Sequence, residues 1–109
     1  MLILPIKRKW FDMIRSGEKE EEYREIKPYW TKRFIRTFGR HWDTNNLNNP
    51  VLVWNDEPVI VTLKNGYGSK APEIDVLVRI KEGIGNPDWG AEPGITYYIL
   101  EILEILKHA

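Results

Sequence analysis

The segment Ile74-Asp75-Val76-Leu77-Val78-Arg79-Ile80 decides the fold, because apolar residues recur at every second position along it. Successive side chains of a β-strand point to opposite faces, so the aliphatic residues at even positions share one face. Asp75 and Arg79 point to the other face. One apolar face and one polar face are typical of a strand in an antiparallel sheet. The pattern therefore predicts a central strand in a β-rich domain.

Further strands are predicted on both sides of this segment. Asn55-Asp56-Glu57 before Pro58 indicates a hairpin-like break between two of them, and Asn65-Gly66-Tyr67-Gly68-Ser69 is a strong turn signal. Residues 96–106 fit a helix by spacing and a strand by their Tyr and Ile content. We predict a strand there, because a barrel needs a last strand to close its edge. The other predicted strands are residues 2–6, 19–26, 51–54 and 59–63.

Two helices are predicted before the third strand. Residues 9–16 have helical spacing and end at Gly17, where a C-terminal cap belongs. A second helix begins at Pro28 and buries a stripe of aromatic residues spaced four apart, Trp30, Phe34 and Phe38. Residues 41–50 and 83–94 are predicted loops. The pattern indicates an α+β fold, a small, mostly antiparallel and partly closed β-barrel with two helices packed beside it.

Composition narrows the class of protein. The chain has 109 residues, so we predict one domain over 1–109, and 42% apolar residues indicate a globular fold. The chain has no Cys, which excludes disulfides, thiolate nucleophiles and Cys-based zinc sites. His41 and His108 are far apart and no metal-binding motif occurs, so we expect neither a metal nor a cofactor. Residues 2–6 are too short to span a membrane, and we predict a cytoplasmic protein without membrane association.

Charge is distributed unevenly although the formal net charge is zero. Residues 1–42 hold 11 Lys and Arg against 6 Asp and Glu, and residues 43–109 hold 5 against 10. The second predicted helix and its end contain basic residues and no acid. That surface could follow a nucleic-acid backbone, be a solvated helix face, or bind an acidic protein. The candidate nucleic-acid-binding residues are Lys32, Arg33, Arg36 and Arg40.

The densest polar cluster is Gly17-Glu18-Lys19-Glu20-Glu21-Glu22-Tyr23-Arg24, where a helix end leads into a strand. Glu22 and Arg24 are two residues apart, so in a strand they point the same way and can pair. Lys19 falls on the opposite face of a regular strand and can join them only where the chain bends or bulges. Taken alone, the segment is typical of a charged edge strand.

The spacing Gly17-x-Lys19-x-x-Glu22-x-Arg24 resembles the GxKxxExR signature of the ASCH family, in its small stand-alone bacterial or phage form. The opening strand, the helix before the signature, Asn65-Gly66-Tyr67-Gly68, Trp89-Gly90-Ala91 and Tyr97-Tyr98-Ile99 extend the resemblance over most of the chain. The resemblance implies a PUA-like β-barrel with a cleft lined by the signature. Members of this family are proposed to bind RNA, some hydrolyse acetylated cytidine, and others are reported to cut RNA.

The resemblance supplies the candidate site residues. Lys19 matches the catalytic Lys of the acetylcytidine amidohydrolases, but Glu22 stands where those enzymes have a catalytic Thr. A carboxylate cannot replace a hydroxyl nucleophile without changing the chemistry, and no residue here matches their distant Glu. Lys19 and Glu22 are the catalytic candidates if the protein is an enzyme. The ligand-binding candidates are Lys19, Glu22, Arg24 and Tyr67, the last because a Tyr in a Gly-rich turn could stack a base.

Three hypotheses follow from the sequence. The first is a module that binds RNA or a nucleotide or nucleoside in the cleft. The second is a hydrolase acting on a modified nucleoside or on RNA. The third is a protein-interaction domain that docks an acidic partner on the basic helix.

Overall fold

The computed structural model describes residues 1–106, so His108 lies outside the described residues. This part of the chain contains two α-helices and seven strands, and the helices lie between the first three strands. The first half contains β1 (Ile3–Ile6), α1 (Arg8–Arg15), β2 (Glu21–Glu25), α2 (Pro28–Phe38) and β3 (Arg40–Asp43). The second half contains β4 (Val51–Trp54), β5 (Val59–Asn65), β6 (Glu73–Ile84) and β7 (Thr96–Leu106).

The main sheet has five strands in the order β1-β5-β6-β7-β2. The predicted central strand, β6, is indeed at its centre. β1 pairs in parallel with β5, and the other neighbouring pairs are antiparallel. β1 and β2 are at opposite ends of this order, yet the Arg24 side chain of β2 donates a hydrogen bond to the Pro5 carbonyl of β1. The sheet is therefore curled into a half-barrel, and the α+β class is confirmed.

The concave face of the curled sheet and the two helices enclose the core. The even-numbered residues of β6 from Ile74 to Ile80 are buried, as their alternation predicts. The helix α1 contributes Phe11 and Ile14, and α2 contributes Phe34 and Phe38, each pair at helical spacing. Phe34 packs edge-on against Tyr98 of β7, so α2 is held against the sheet by aromatic contacts.

The predicted hairpin between residues 51–54 and 59–63 is wrong. β4 pairs instead with β3, and the two strands form a separate two-stranded sheet. The sequence predicts Arg40 at the end of a helix and residues 41–43 at the start of a polar loop, 41–50, that contains four Asn. Gly39 ends α2 with a φ of 78°, after which Arg40 begins the new strand. Cross-strand pairing, which local composition does not reveal, makes this segment β.

Two other expectations need correction. β6 continues to Ile84, so it takes the first residues of the predicted loop 83–94, and residues 87–89 of that loop form one turn of 3-10 helix. Residues 96–106 do form a strand, but β7 lies between β6 and β2 instead of closing an edge. The edges belong to β1 and β2, so the sheet stays open between them.

Neither of the two helices within residues 1–106 is long and apolar enough to cross a membrane.

The buried aromatic ring of α2 gives a test of the packing. Phe34 is fully buried, and we expect Phe34→Ala to lower the free energy of unfolding by about 3–5 kcal/mol through lost contacts and a cavity. Tyr67→Ala is the matched control, because Tyr67 is 89% exposed and its loss should change stability by less than about 0.5 kcal/mol. Urea denaturation measures both. Equal losses would contradict the packing described for α2.

Candidate functional site

The turn between α1 and β2 brings Lys19 to the same side as Glu22 and Arg24. Gly17 has a φ of 86°, and the Lys19 amide donates to the Met13 carbonyl at 2.9 Å, so Lys19 belongs to the turn that ends α1. β2 begins only at Glu21. The alternation rule for strands therefore does not apply to Lys19, and the bend that its participation requires is present.

The Glu22 carboxylate lies between the two cations. Its Oε1 atom is 3.0 Å from Lys19 Nζ, and its Oε2 atom accepts a hydrogen bond from Arg24 Nη1 at 2.6 Å. Glu22 is only 5% exposed and Lys19 only 2%. We call these three residues the ion cluster. A buried carboxylate with two cationic partners is fixed in position by charge-assisted hydrogen bonds.

The Lys19 ammonium is enclosed on several sides. Besides Glu22, it donates to the Trp89 carbonyl, and it lies 4.6 Å from the centre of the Trp10 ring and 5.0 Å from that of Tyr23. Burial lowers the pKa of Lys19 below its ordinary value of 10.5, and the Glu22 carboxylate opposes part of that effect. The aromatic faces give the ammonium further electrostatic support.

Arg24 connects the two open edges of the sheet. Its Nη1 donates to the Tyr23 carbonyl at 2.8 Å as well as to Glu22, and its Nη2 donates to the Pro5 carbonyl of β1 at 3.0 Å. Its guanidinium also lies over the Trp30 ring at 5.1 Å. A guanidinium has five N–H donors. Within residues 1–106 these three bonds leave two of the donors without a protein acceptor.

The segment after β6 is fastened to β2 through Tyr23. The Tyr23 hydroxyl donates to Glu21 at 2.8 Å and accepts from the Asn86 amide at 2.9 Å. Burial raises the pKa of this hydroxyl, so it stays protonated as a donor. Gly90 adopts a φ of 101°, and a Cβ atom there would lie 2.9 Å from the Trp10 ring. Glycine at this position lets the backbone beside Trp89 approach Trp10 closely.

The ion cluster lines a cleft of about 690 Å³ between β1, the ends of both helices and the turns after β5 and β6. Aromatic side chains form a large part of its walls. The aromatic lining residues, apart from Tyr23, are Trp10, Tyr29, Trp30, Tyr67 and Trp89. Lys7, Arg8 and Asn65 also line it. The arrangement can therefore hold a flat ring between aromatic side chains and offer guanidinium N–H groups to its polar edge.

All four ligand-binding candidates from the sequence line this cleft, namely Lys19, Glu22, Arg24 and Tyr67. Their role in binding stays a prediction. Tyr67 projects from the turn after β5 and is 89% exposed. Trp30 was predicted to belong to the core. It packs against the core and also lines the cleft, because the aromatic stripe of α2 begins at the edge of the sheet.

The candidate nucleic-acid residues do not line the cleft. Arg33 and Arg36 of α2 line a different groove, and the Arg33 guanidinium lies 3.5 Å from the centre of the Tyr29 ring. Arg40 is not on the helix as predicted. It is on β3, with its guanidinium 5.1 Å from the centre of the Trp54 ring. The predicted single basic stripe is therefore divided between a helix and a strand. The four residues, Lys32, Arg33, Arg36 and Arg40, are all exposed.

Sequence reasoning missed Lys7 and Arg8, which border the cleft at the start of α1. It also missed Tyr29 and Asn65. Locating Lys7, Arg8 and Asn65 requires the sheet topology. The parallel pairing of β1 with β5 brings the ends of both strands together, at Ile6 and Asn65. Comparison with protein-family models, curated proteins and solved structures finds no match to this chain.

The ion cluster gives a second test. Glu22→Gln leaves two buried cations without their carboxylate, and we expect a loss of about 3–5 kcal/mol in the free energy of unfolding. Glu25→Gln is the matched control on the same strand. Its carboxylate is 71% exposed and 3.7 Å from Lys27, so its loss should cost less than about 1 kcal/mol. Urea denaturation at neutral pH measures both, and similar values for the two variants would refute a buried cluster.

The lowered pKa of Lys19 predicts a pH dependence. Between the folded-state pKa and 10.5 the unfolded chain binds more protons than the folded one, so Lys19 makes stability rise with pH in that interval. Below the folded-state pKa its contribution is constant. Urea denaturation from neutral pH to pH 10.5 should therefore show the parent gaining stability relative to Lys19→Met. A difference that does not change with pH would mean that burial does not perturb this ammonium.

Proposed function

We propose that this chain is a PUA-like domain of the ASCH type that binds a cytoplasmic RNA or nucleotide, with a base held in the aromatic cleft above the ion cluster. The observation that carries the proposal is the cleft itself, in which a buried Lys19–Glu22–Arg24 cluster meets aromatic walls. These are the three charged residues of the signature that the sequence shares with the ASCH family.

The dimensions of the cleft suit a nucleotide. Small-ligand sites are concave, usually enclose a few hundred to about 1,000 Å³, and combine apolar walls with a few placed polar groups. The cleft has about 690 Å³ and follows that composition. Single nucleotides are commonly recognised by stacking on aromatic rings, with hydrogen bonds to the edge of the base. Tyr67 at the rim and Trp10, Trp30 and Trp89 inside supply the rings.

The hydrogen bonds inside the ion cluster favour binding over catalysis. Both Glu22 oxygens already have cationic partners, and the Lys19 ammonium contacts Glu22, the Trp89 carbonyl and two aromatic faces. Within residues 1–106 Arg24 retains N–H donors without a protein acceptor, and it is more exposed than its two partners, with 14% of its side chain accessible. Arg24 is therefore the member of the cluster best suited to donate to a ligand, and Lys19 and Glu22 position it.

Hydrolysis of a modified nucleoside is the second candidate function. The observation in its favour is the lowered pKa of Lys19, because perturbed lysines occur at catalytic sites. Within residues 1–106 Glu22, at 3.0 Å, is the one carboxylate that forms an ion pair with Lys19, and Glu22 stands where the acetylcytidine amidohydrolases have a Thr. Turnover of acetylated cytidine that disappears in Lys19→Met would establish this function. Binding without turnover would favour the first.

The stacking part of the proposal predicts a specific loss on removing Tyr67. Tyr67→Ala should weaken binding of nucleotides or short single-stranded RNA by about 1–3 kcal/mol, because one base loses its stacking partner. Quenching of tryptophan fluorescence reports binding, since three of the five Trp residues line the cleft. Salt should not change the size of this loss, because stacking is not a charge interaction.

Trp42→Ala is the matched control. Trp42 is 60% exposed on β3 and does not line the cleft, so its removal should leave affinity unchanged. Equal losses in the two variants would indicate nonspecific association with exposed aromatic rings. The absence of binding by the parent protein to any nucleotide or RNA would refute the proposed function.

A further inference from the structure

The lining of the cleft carries a charge that the chain as a whole does not. The chain has 16 basic and 16 acidic residues, so its formal net charge is zero. The described residues that line the cleft include four basic residues, Lys7, Arg8, Lys19 and Arg24, and a single carboxylate, Glu22. Four positive charges against one negative charge leave a net charge of +3 in a concave site with apolar walls. Such a site concentrates an electrostatic field and attracts anions.

Two of these cations are not required by the protein's own contacts. Lys7 precedes α1 and makes no ion pair within residues 1–106, and Arg8 contacts Asp12 only at 3.7 Å with its side chain 84% exposed. Lys19 and Arg24, in contrast, are bound to Glu22. Two of the three excess positive charges are therefore at the mouth of the cleft, where a bound ligand enters, while the ion cluster at the floor keeps a net charge of +1.

Backbone polarity adds to the effect of Lys7 and Arg8. They stand at the start of α1, whose first turn has no acidic residue and no side-chain cap. The N-terminal end of a helix carries a partial positive charge and unsatisfied N–H groups. Neutral nucleosides gain little from such a mouth, whereas a phosphate attached to the nucleoside gains from both side chains.

We infer that the cleft selects a ligand bearing a phosphate, with the phosphate bound by Lys7 and Arg8 and the base between the aromatic walls. The inference rests on the proposed function and specifies its ligand class as a nucleoside monophosphate or a phosphate-flanked nucleotide of RNA. The free nucleoside is a weaker ligand of the same site. The two mouth residues act in binding and are separate from the ion cluster.

Tryptophan fluorescence titration with ribonucleosides and their 5′- and 3′-monophosphates tests the inference on the full chain. One charge-assisted phosphate contact is enough for a difference of about tenfold, so the better monophosphate should bind at least about tenfold more tightly than its nucleoside. The double reversal Lys7→Glu/Arg8→Glu should remove this difference and leave nucleoside affinity within about twofold of the parent. Lys32→Glu/Arg36→Glu changes net charge equally at exposed residues outside the cleft lining and should keep the difference.

Ribose 5-phosphate separates a nucleotide site from a general anion site. It lacks a base and should bind at least about tenfold more weakly than the nucleotide, because stacking is absent. Equal affinity for nucleoside and monophosphate would overturn the inference and leave the proposed function standing. Loss of the phosphate preference in the Lys32→Glu/Arg36→Glu variant would also overturn it. No binding of any nucleoside or nucleotide would refute the proposed function itself.

Discussion

The Glu22 carboxylate, held between Lys19 and Arg24, is the interaction on which the site depends. Through Lys19 it fixes the end of α1 and, by the Trp89 carbonyl, the segment after β6. Through Arg24 it reaches the Pro5 carbonyl of β1. Each of these segments contributes a wall of the cleft. The five-stranded sheet stays open between β1 and β2. These polar contacts therefore join the two edge strands, which backbone hydrogen bonds would join in a closed barrel.

Joining two strands through a buried ion cluster is unfavourable for the free energy of folding. Removing charges from water opposes folding, and well-packed apolar residues often stabilise a core as well or better. The main core lies elsewhere, under α2 and β6, and contains none of the three charges. The cluster is placed where the sheet leaves a cleft, with Arg24 partly accessible. That placement supports the proposed recognition of a ligand, for which charged and oriented donors are needed.

The fold could be predicted where side-chain pattern alone determines structure, as in the alternation along β6 and the aromatic stripe of α2. It could not be predicted where pairing partners decide, as for Arg40 to Asp43, whose polar residues become a strand only opposite β4. The signature located Lys19, Glu22 and Arg24. Strand periodicity placed Lys19 on the opposite face, because that periodicity does not account for the turn at Gly17 that ends the helix. Lys7 and Arg8 were missed because only the pairing of β1 with β5 defines the mouth they border.

If the proposed function holds, a base enters the cleft above the ion cluster. The five indole N–H groups provide the most direct measurement, because Trp10, Trp30 and Trp89 line the cleft whereas Trp42 and Trp54 do not. In a ¹H–¹⁵N spectrum with assigned indole signals, titration with a nucleoside monophosphate should shift the three cleft signals and leave the other two in place. Shifts confined to Trp42 and Trp54, or none at saturating ligand, would contradict the account.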